Sequence, residues 1–187
     1  MSKNKKGFTI IEVVLVLAIA GLIFLMVFIA LPALQRSQRN TQREDDLSRV
    51  LTAANDYQTN NNGKTPFNKA SGTNGVDSRF VTRYIDETCE PDTAQSDSGT
   101  LSTYKCKDNG GDQFRDPDGN IYNMRGSKSA SGGNVTIDGT WPNDHVFDAV
   151  TYASCGDEGV AAKGTGERQY AVFYILEGGA VSCNDNH

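Results

Sequence analysis

The sequence predicts an α+β protein in which one long N-terminal helix, apolar and then amphipathic, packs on a C-terminal antiparallel β-sheet. Three observations predict it. Residues 13–31 hold only apolar side chains and Gly21. Residues 35–58 lack Pro and Gly and place Leu47, Val50, Leu51, Ala54 and Tyr57 at spacings of three and four, the stripe of a helix with one buried face. Further on, short segments rich in Val, Ile, Tyr and Phe alternate with Gly-bearing turns, the pattern of strands.

The apolar run is long enough to cross a bilayer, which takes about 20 residues. Before it stand Lys3, Lys5 and Lys6, then Gly7-Phe8-Thr9-Ile10-Ile11-Glu12. A carboxylate at the lip of such a segment is expensive, since an acid at a membrane helix centre costs about 2.5–3.5 kcal/mol on insertion scales. Glu12 is therefore expected to await a cation. Cutting the chain after Gly7 would supply one, the α-amino group of Phe8. Pro32 removes one helical hydrogen bond and is a place for a kink. The helix is expected from Phe8 to about Asn60, ~80 Å at 1.5 Å per residue. Its apolar half suits lipid or a filament core, and its amphipathic half suits the underside of a globular head.

Arg36, Arg39 and Arg43 form a basic face just past the apolar part, followed by Glu44-Asp45-Asp46. Two readings stand side by side: a solvated face with local i,i+4 pairs, or a contact with the acidic head of a neighbouring copy. Asn60-Asn61-Asn62-Gly63 ends the helix, with Pro66 soon after. Residues 65–103 read as a polar loop whose apolar doublets are Phe80-Val81 and Tyr84-Ile85. Strands are expected at 120–124, 135–137, 149–153, 169–176 and 180–183, with Glu177-Gly178-Gly179 as a tight hairpin between the last two. Tyr152, Tyr170, Phe173 and Tyr174 are expected to fill the sheet–helix interface. Residues 126–133, rich in Gly and Ser, read as a surface loop.

The lysine-rich leader, Gly7, Phe8, Thr9, Glu12 and the apolar helix behind them together resemble the type IV pilin signature. The resemblance implies a pilin-like lollipop divided into a cleaved leader (1–7), a transmembrane or filament-core helix (8–34), its amphipathic continuation (35–62) and a globular head (63–187). It implies cleavage after Gly7 by a prepilin peptidase and methylation of Phe8, with Glu12 accepting the charge of that amine during assembly. It also implies other copies of the subunit, an assembly motor and a membrane platform as partners. The precursor would sit in the cytoplasmic membrane as a single-pass protein with its head outside, and the product in a surface pilus. Tyr57, Gly63 and Pro66 loosely match the pattern at the helix–head junction of this family. Asp116-Pro117-Asp118-Gly119-Asn120-Ile121-Tyr122 resembles a turn of major pseudopilins of type II secretion, the main alternative. A tethered extracellular binding domain that never polymerises is another. An ordinary secretory signal fits poorly, because its apolar core would be 7–15 residues.

Composition narrows the function further. From Val50 onward there are 11 Lys and Arg against 19 Asp and Glu, the wrong sign for a broad nucleic-acid-binding face. The cysteines are Cys89, Cys106, Cys155 and Cys183. They form no C-x-x-C pair and have no histidine at ligand spacing, which disfavours zinc. An even count behind an export signal reads as two disulfides. Three connectivities are possible; the sequential pairs Cys89–Cys106 and Cys155–Cys183 close short loops worth about 3 kcal/mol each.

Asp116-Pro117-Asp118-Gly119 is turn chemistry. With Asp108, Asp112 and Asn120 it also crowds oxygen ligands as a calcium loop does, although the spacing departs from an EF-hand. No cofactor is otherwise expected. Catalytic motifs are missing: there is no G-x-S-x-G, H-E-x-x-H or P-loop. Ser102-Thr103-Tyr104-Lys105 fits S-x-x-K without its partner motifs, and His145 reads as a surface or satisfied histidine. Asn134-Val135-Thr136 has the glycan-acceptor pattern. The sequence thus points to a structural protein and not an enzyme.

Overall fold

The computed structural model describes residues 7–67, 75–91, 104–106, 114–137, 145–157 and 159–187. Helix α1 spans Ile10–Asn60 and keeps Pro32 within it. The chain forms two compact units, Met1–Arg39 and Asn40–His187. In the first, the large apolar side chains from Phe8 to Leu34 are exposed, Phe8 by 89% and Phe28 by 71%. By length and composition this helix can cross a membrane. A helix that is apolar all round must find lipid or other helices to cover it.

In the second unit α1 buries Leu47, Val50, Ala53, Ala54 and Tyr57, with Leu51 half-buried. The expected stripe is therefore present, and Arg43 extends it at one end. The helix stops where Asn62 and Gly63 turn left-handed (φ 57° and 77°) and the Gly63 N–H donates to the Gln58 carbonyl at 2.8 Å. Glycine tolerates that conformation without strain.

The region expected as a polar loop is partly folded. Asp77 caps α2 (Ser78–Phe80), which runs into a π-helical turn, Val81–Ile85. Phe80, Val81 and Ile85 are buried against α1, with Phe80 edge-on to Tyr57 at 5.9 Å. The two apolar doublets thus anchor the segment to the helix. β1 (Cys89–Pro91) follows and pairs antiparallel with β2 (Tyr104–Cys106).

Among the described residues seven further strands make two sheets: β3 (Asn123–Ser129), β4 (Val135–Thr136), β5 (Val146–Thr151), β6 (Ala153–Cys155), β7 (Val160–Lys163), β8 (Tyr170–Ile175) and β9 (Val181–Asp185). The larger has the order β3-β5-β8-β9, the smaller β4-β7-β6. Pairings are antiparallel except β3–β5, which is parallel. A parallel pair needs a long connection and not a hairpin, and here the chain between β3 and β5 passes through β4 of the other sheet.

Several boundaries shift for local reasons. The strand expected from 120 starts at Asn123, because Arg115 and Ile121 bridge across the preceding turn. Residues 126–129 of the expected surface loop belong to β3. There Gly126 is buried, and a Cβ would overlap the carbonyl oxygen of Gly75. The expected strand 149–153 breaks at Tyr152 (φ 56°), where the chain leaves one sheet for the other.

β8 is buried on both faces. Tyr170, Val172 and Tyr174 pack in the core with α1, while Ala171 and Phe173 enter a second core with Ala130, Ile137, Val150, Ala153 and Ala161. The period of two along a strand enforces that split. Phe173 is therefore not at the helix interface, and half-exposed Tyr152 is not core. The Glu177-Gly178-Gly179 hairpin forms as expected, with Leu176 N–H donating to Ala180 O at 2.8 Å and both glycines at positive φ. A Cys155–Cys183 disulfide ties β6 to β9, with Cα atoms 5.8 Å apart. Cys89 is also disulfide-bonded, and the β1–β2 ladder sets its Cα opposite that of Cys106.

Candidate processing and assembly site

Gly7, Phe8 and Thr9 precede the helix. Gly7 is exposed, and a Cβ on it would meet nothing within 4 Å. The Gly7–Phe8 bond thus lies in open, non-helical backbone, the form that a peptidase can engage. The leader lysines lie outside the described residues.

Glu12 is engaged within its own chain. One carboxylate oxygen, Oε2, accepts both the Thr9 N–H and the Thr9 hydroxyl at 2.8 Å. The Glu12 N–H points back to Thr9 Oγ1 at 3.4 Å. Thr9 is the N-cap and Glu12 the third helical residue, so this is a capping box. The carboxylate already satisfies N-terminal donors of its own helix. A helix start therefore has its own use for the Glu12 carboxylate. Thr-x-x-Glu before an apolar run is the sequence signature of that box.

In the head, a second constellation forms around Arg43. Its guanidinium is buried and places all five N–H donors. Nε and Nη2 fork onto the two oxygens of Asp116 at 2.7 and 2.9 Å. Nη2 also reaches Asp118 at 2.8 Å, and Nη1 reaches Glu177 at 2.7 Å and Asn40 at 3.3 Å. Asn40 exchanges bonds with the Glu177 backbone, accepting its N–H at 3.0 Å and donating to its carbonyl at 3.3 Å. The Tyr174 hydroxyl donates to Asp116 at 2.9 Å, and His145 Nδ1 lies 3.3 Å from the same carboxylate. One guanidinium thus pins the Asp116 turn and the β8–β9 hairpin to α1. Arg43 leaves the expected basic face, since its acidic partners belong to its own chain.

Burial alone would push the Asp116 carboxyl up. The Arg43 guanidinium, the Asp118 N–H and the Tyr174 hydroxyl overcome this and hold it well below the usual range. Asp77, bonded by Arg79 and Tyr57, is lowered to about 2. Asp46 goes the other way: burial raises it, against the hydrogen bond from Tyr122. A carboxyl lowered on folding stabilises above its unfolded pKa and loses that contribution as pH falls through the folded value. A raised one stabilises below its unfolded value and loses this as pH rises. Asp116 and Asp77 outnumber Asp46, so the head is expected to lose stability steeply between about pH 4 and 2. Denaturant midpoints across that window test this, and Asp77→Asn should flatten the slope.

The residues singled out for calcium are differently engaged. Asp116 and Asp118 hold Arg43, and Asn120 Nδ2 lies 2.9 Å from His145 Nε2. Asp108 and Asp112 lie outside the described residues. Among the described residues no three His, Cys, Asp or Glu side chains are grouped to hold a metal. His145 is a satisfied histidine, held between Asn120 and Asp116.

No curated protein and no solved structure matches the chain. Residues 2–28 match the family model described as the prokaryotic N-terminal methylation motif. That match covers Gly7, Phe8, the capping box and most of the exposed apolar helix, so the chain carries the class III signal peptide of type IV pilins and pseudopilins.

Proposed function

We propose that the chain is a structural subunit of a type IV pilus. A prepilin peptidase cuts between Gly7 and Phe8, and the new amine is methylated. The subunit waits in the cytoplasmic membrane with its head outside, then polymerises through its apolar helix with other copies. An assembly motor and membrane platform drive that step. The observation that carries this reading is the methylation motif on an apolar helix whose side chains have no cover within the chain. Such a surface in water would be untenable, and like helices bundled together cover it.

Glu12 has two roles in this reading. In the precursor it caps the helix. In the filament its carboxylate takes the charge of a Phe8 amine on a neighbouring subunit, because both Thr9 bonds fall on Oε2 and leave Oε1 to accept. Glu12→Gln separates the roles, since glutamine also completes a capping box but carries no charge. Both Glu12→Ala and Glu12→Gln are expected to be cleaved normally. Both should cut sheared surface material by about tenfold or more, as loss of a buried charge pair does. Normal assembly of Glu12→Gln would sink the charge pair and leave capping alone.

The second reading is a pseudopilin of a type II secretion system, favoured by the Asp116–Tyr122 turn. The Cys155–Cys183 closure favours the pilus, as such a pairing resembles the disulfide-bounded region of pilins. N-terminal mass analysis of membranes and sheared material decides. Methylated Phe8 abundant in the sheared fraction supports the pilus subunit, and the same chain confined to membranes supports the pseudopilin. A retained leader in competent cells would leave a tethered domain.

A further inference from the structure

The Asn134-Val135-Thr136 motif is not used by the assembly reading, and its surroundings are informative. Asn134 and Thr136 are both exposed, while Val135 between them is half-buried on the second core. The acceptor amide and the hydroxyl that identifies it therefore share one outward face, as period two along a strand requires. Among the described residues β4 lies at the end of its sheet, paired with β7. The turn leading into it is open, since a Cβ on Gly132 or Gly133 would meet nothing within 4 Å.

The orientation of the amide is fixed by chemistry. Lys163 donates its backbone N–H to Asn134 Oδ1 at 3.1 Å. Only the oxygen can accept there, so Nδ2 is the atom left on the other side. A substituent on Nδ2 keeps the carbonyl and with it the bond to Lys163, so the fold tolerates the modified side chain.

We propose that Asn134 is an N-glycosylation site, modified by a transferase that uses a lipid-linked saccharide. Nδ2 attacks the anomeric carbon of the sugar and forms a C–N bond. The bond from that carbon to the lipid phosphate oxygen breaks, the phosphate leaves with the electron pair, and the Nδ2 proton passes to a base of the transferase. No oxidant or reductant is needed. The site rests on the proposed topology, which puts the head outside the cytoplasmic membrane, where acceptor and transferase would meet.

The test is mass spectrometry of the full-length protein from cells of its own host, read on the tryptic peptide that spans residues 129–163. A saccharide increment on Asn134 is expected. It should vanish in Asn134→Asp, which keeps the Oδ1 acceptor and so the fold, and in Thr136→Ala, while Thr136→Ser retains it. An unmodified peptide in wild-type material, or an increment that persists in Asn134→Asp, overturns the proposal. The N-terminal peptide from the same digest separates the causes. A chain processed to Phe8 with a bare Asn134 refutes the glycan site alone, whereas a retained leader refutes the assembly reading as well.

Discussion

Arg43→Ala is expected to cost the head about 3–5 kcal/mol, the usual penalty for breaking a buried ion pair by removing one partner. Asp116 has no exposed side-chain surface and would keep its charge without a counter-ion. Domains are stable by only about 5–15 kcal/mol, so this single change brings the head close to unfolding. The loss is structural as well as electrostatic. Asn40 and Glu177 are held through the same guanidinium, and the Asp116 turn and the β8–β9 hairpin would both come off α1. Arg43→Lys keeps the charge but cannot fork, and should recover only part. Urea unfolding of the detergent-solubilised full chain measures all three proteins. A double-mutant cycle with Asp116→Ala should show strong coupling, because the two residues share one network. A loss below about 1 kcal/mol for Arg43→Ala would mean that the clamp is screened like a surface pair.

Replacing Cys155 and Cys183 by serine is expected to cost about 3 kcal/mol, the chain-entropy value for a loop of this size, given their sequence separation of 28. The effect should be local. Among the described residues the second core is largely alanine, with Phe173 its one aromatic residue, so little apolar area holds the small sheet to the large one. The disulfide supplements that weak contact by tying β6 to β9. Hydrogen exchange in β4, β6 and β7 should therefore rise well before exchange in β5 and β8. A uniform rise across both sheets would show that the disulfide supports the whole head and not the small sheet.

The parts of the fold that were legible beforehand rest on local chemistry. The helix was readable because its apolar stripe repeats within a single turn. The final hairpin was readable because Gly178 and Gly179 supply positive φ. The processing signal was readable because Gly7, Phe8 and Glu12 stand together before an apolar run. The Thr9–Glu12 capping box is equally local, written as Thr-x-x-Glu before an apolar run.

β7 gave little signal, since Val160-Ala161-Ala162-Lys163 has neither alternation nor bulk. The parallel β3–β5 pairing also escaped. Nothing within either strand records direction relative to a partner that arrives after a detour through another sheet.

By itself the sequence determined an α+β chain with a prepilin-type N-terminal motif and a long helix whose first half is apolar enough to cross a membrane, because each depends on neighbours a few residues away. The tertiary structure decided that Arg43 is a buried clamp and not a surface charge. Its partners Asp116 and Glu177 lie 73 and 134 residues along the chain. Folding alone brings them within hydrogen-bond reach, and a charge pattern read along the chain cannot distinguish a solvated arginine from one about to be enclosed.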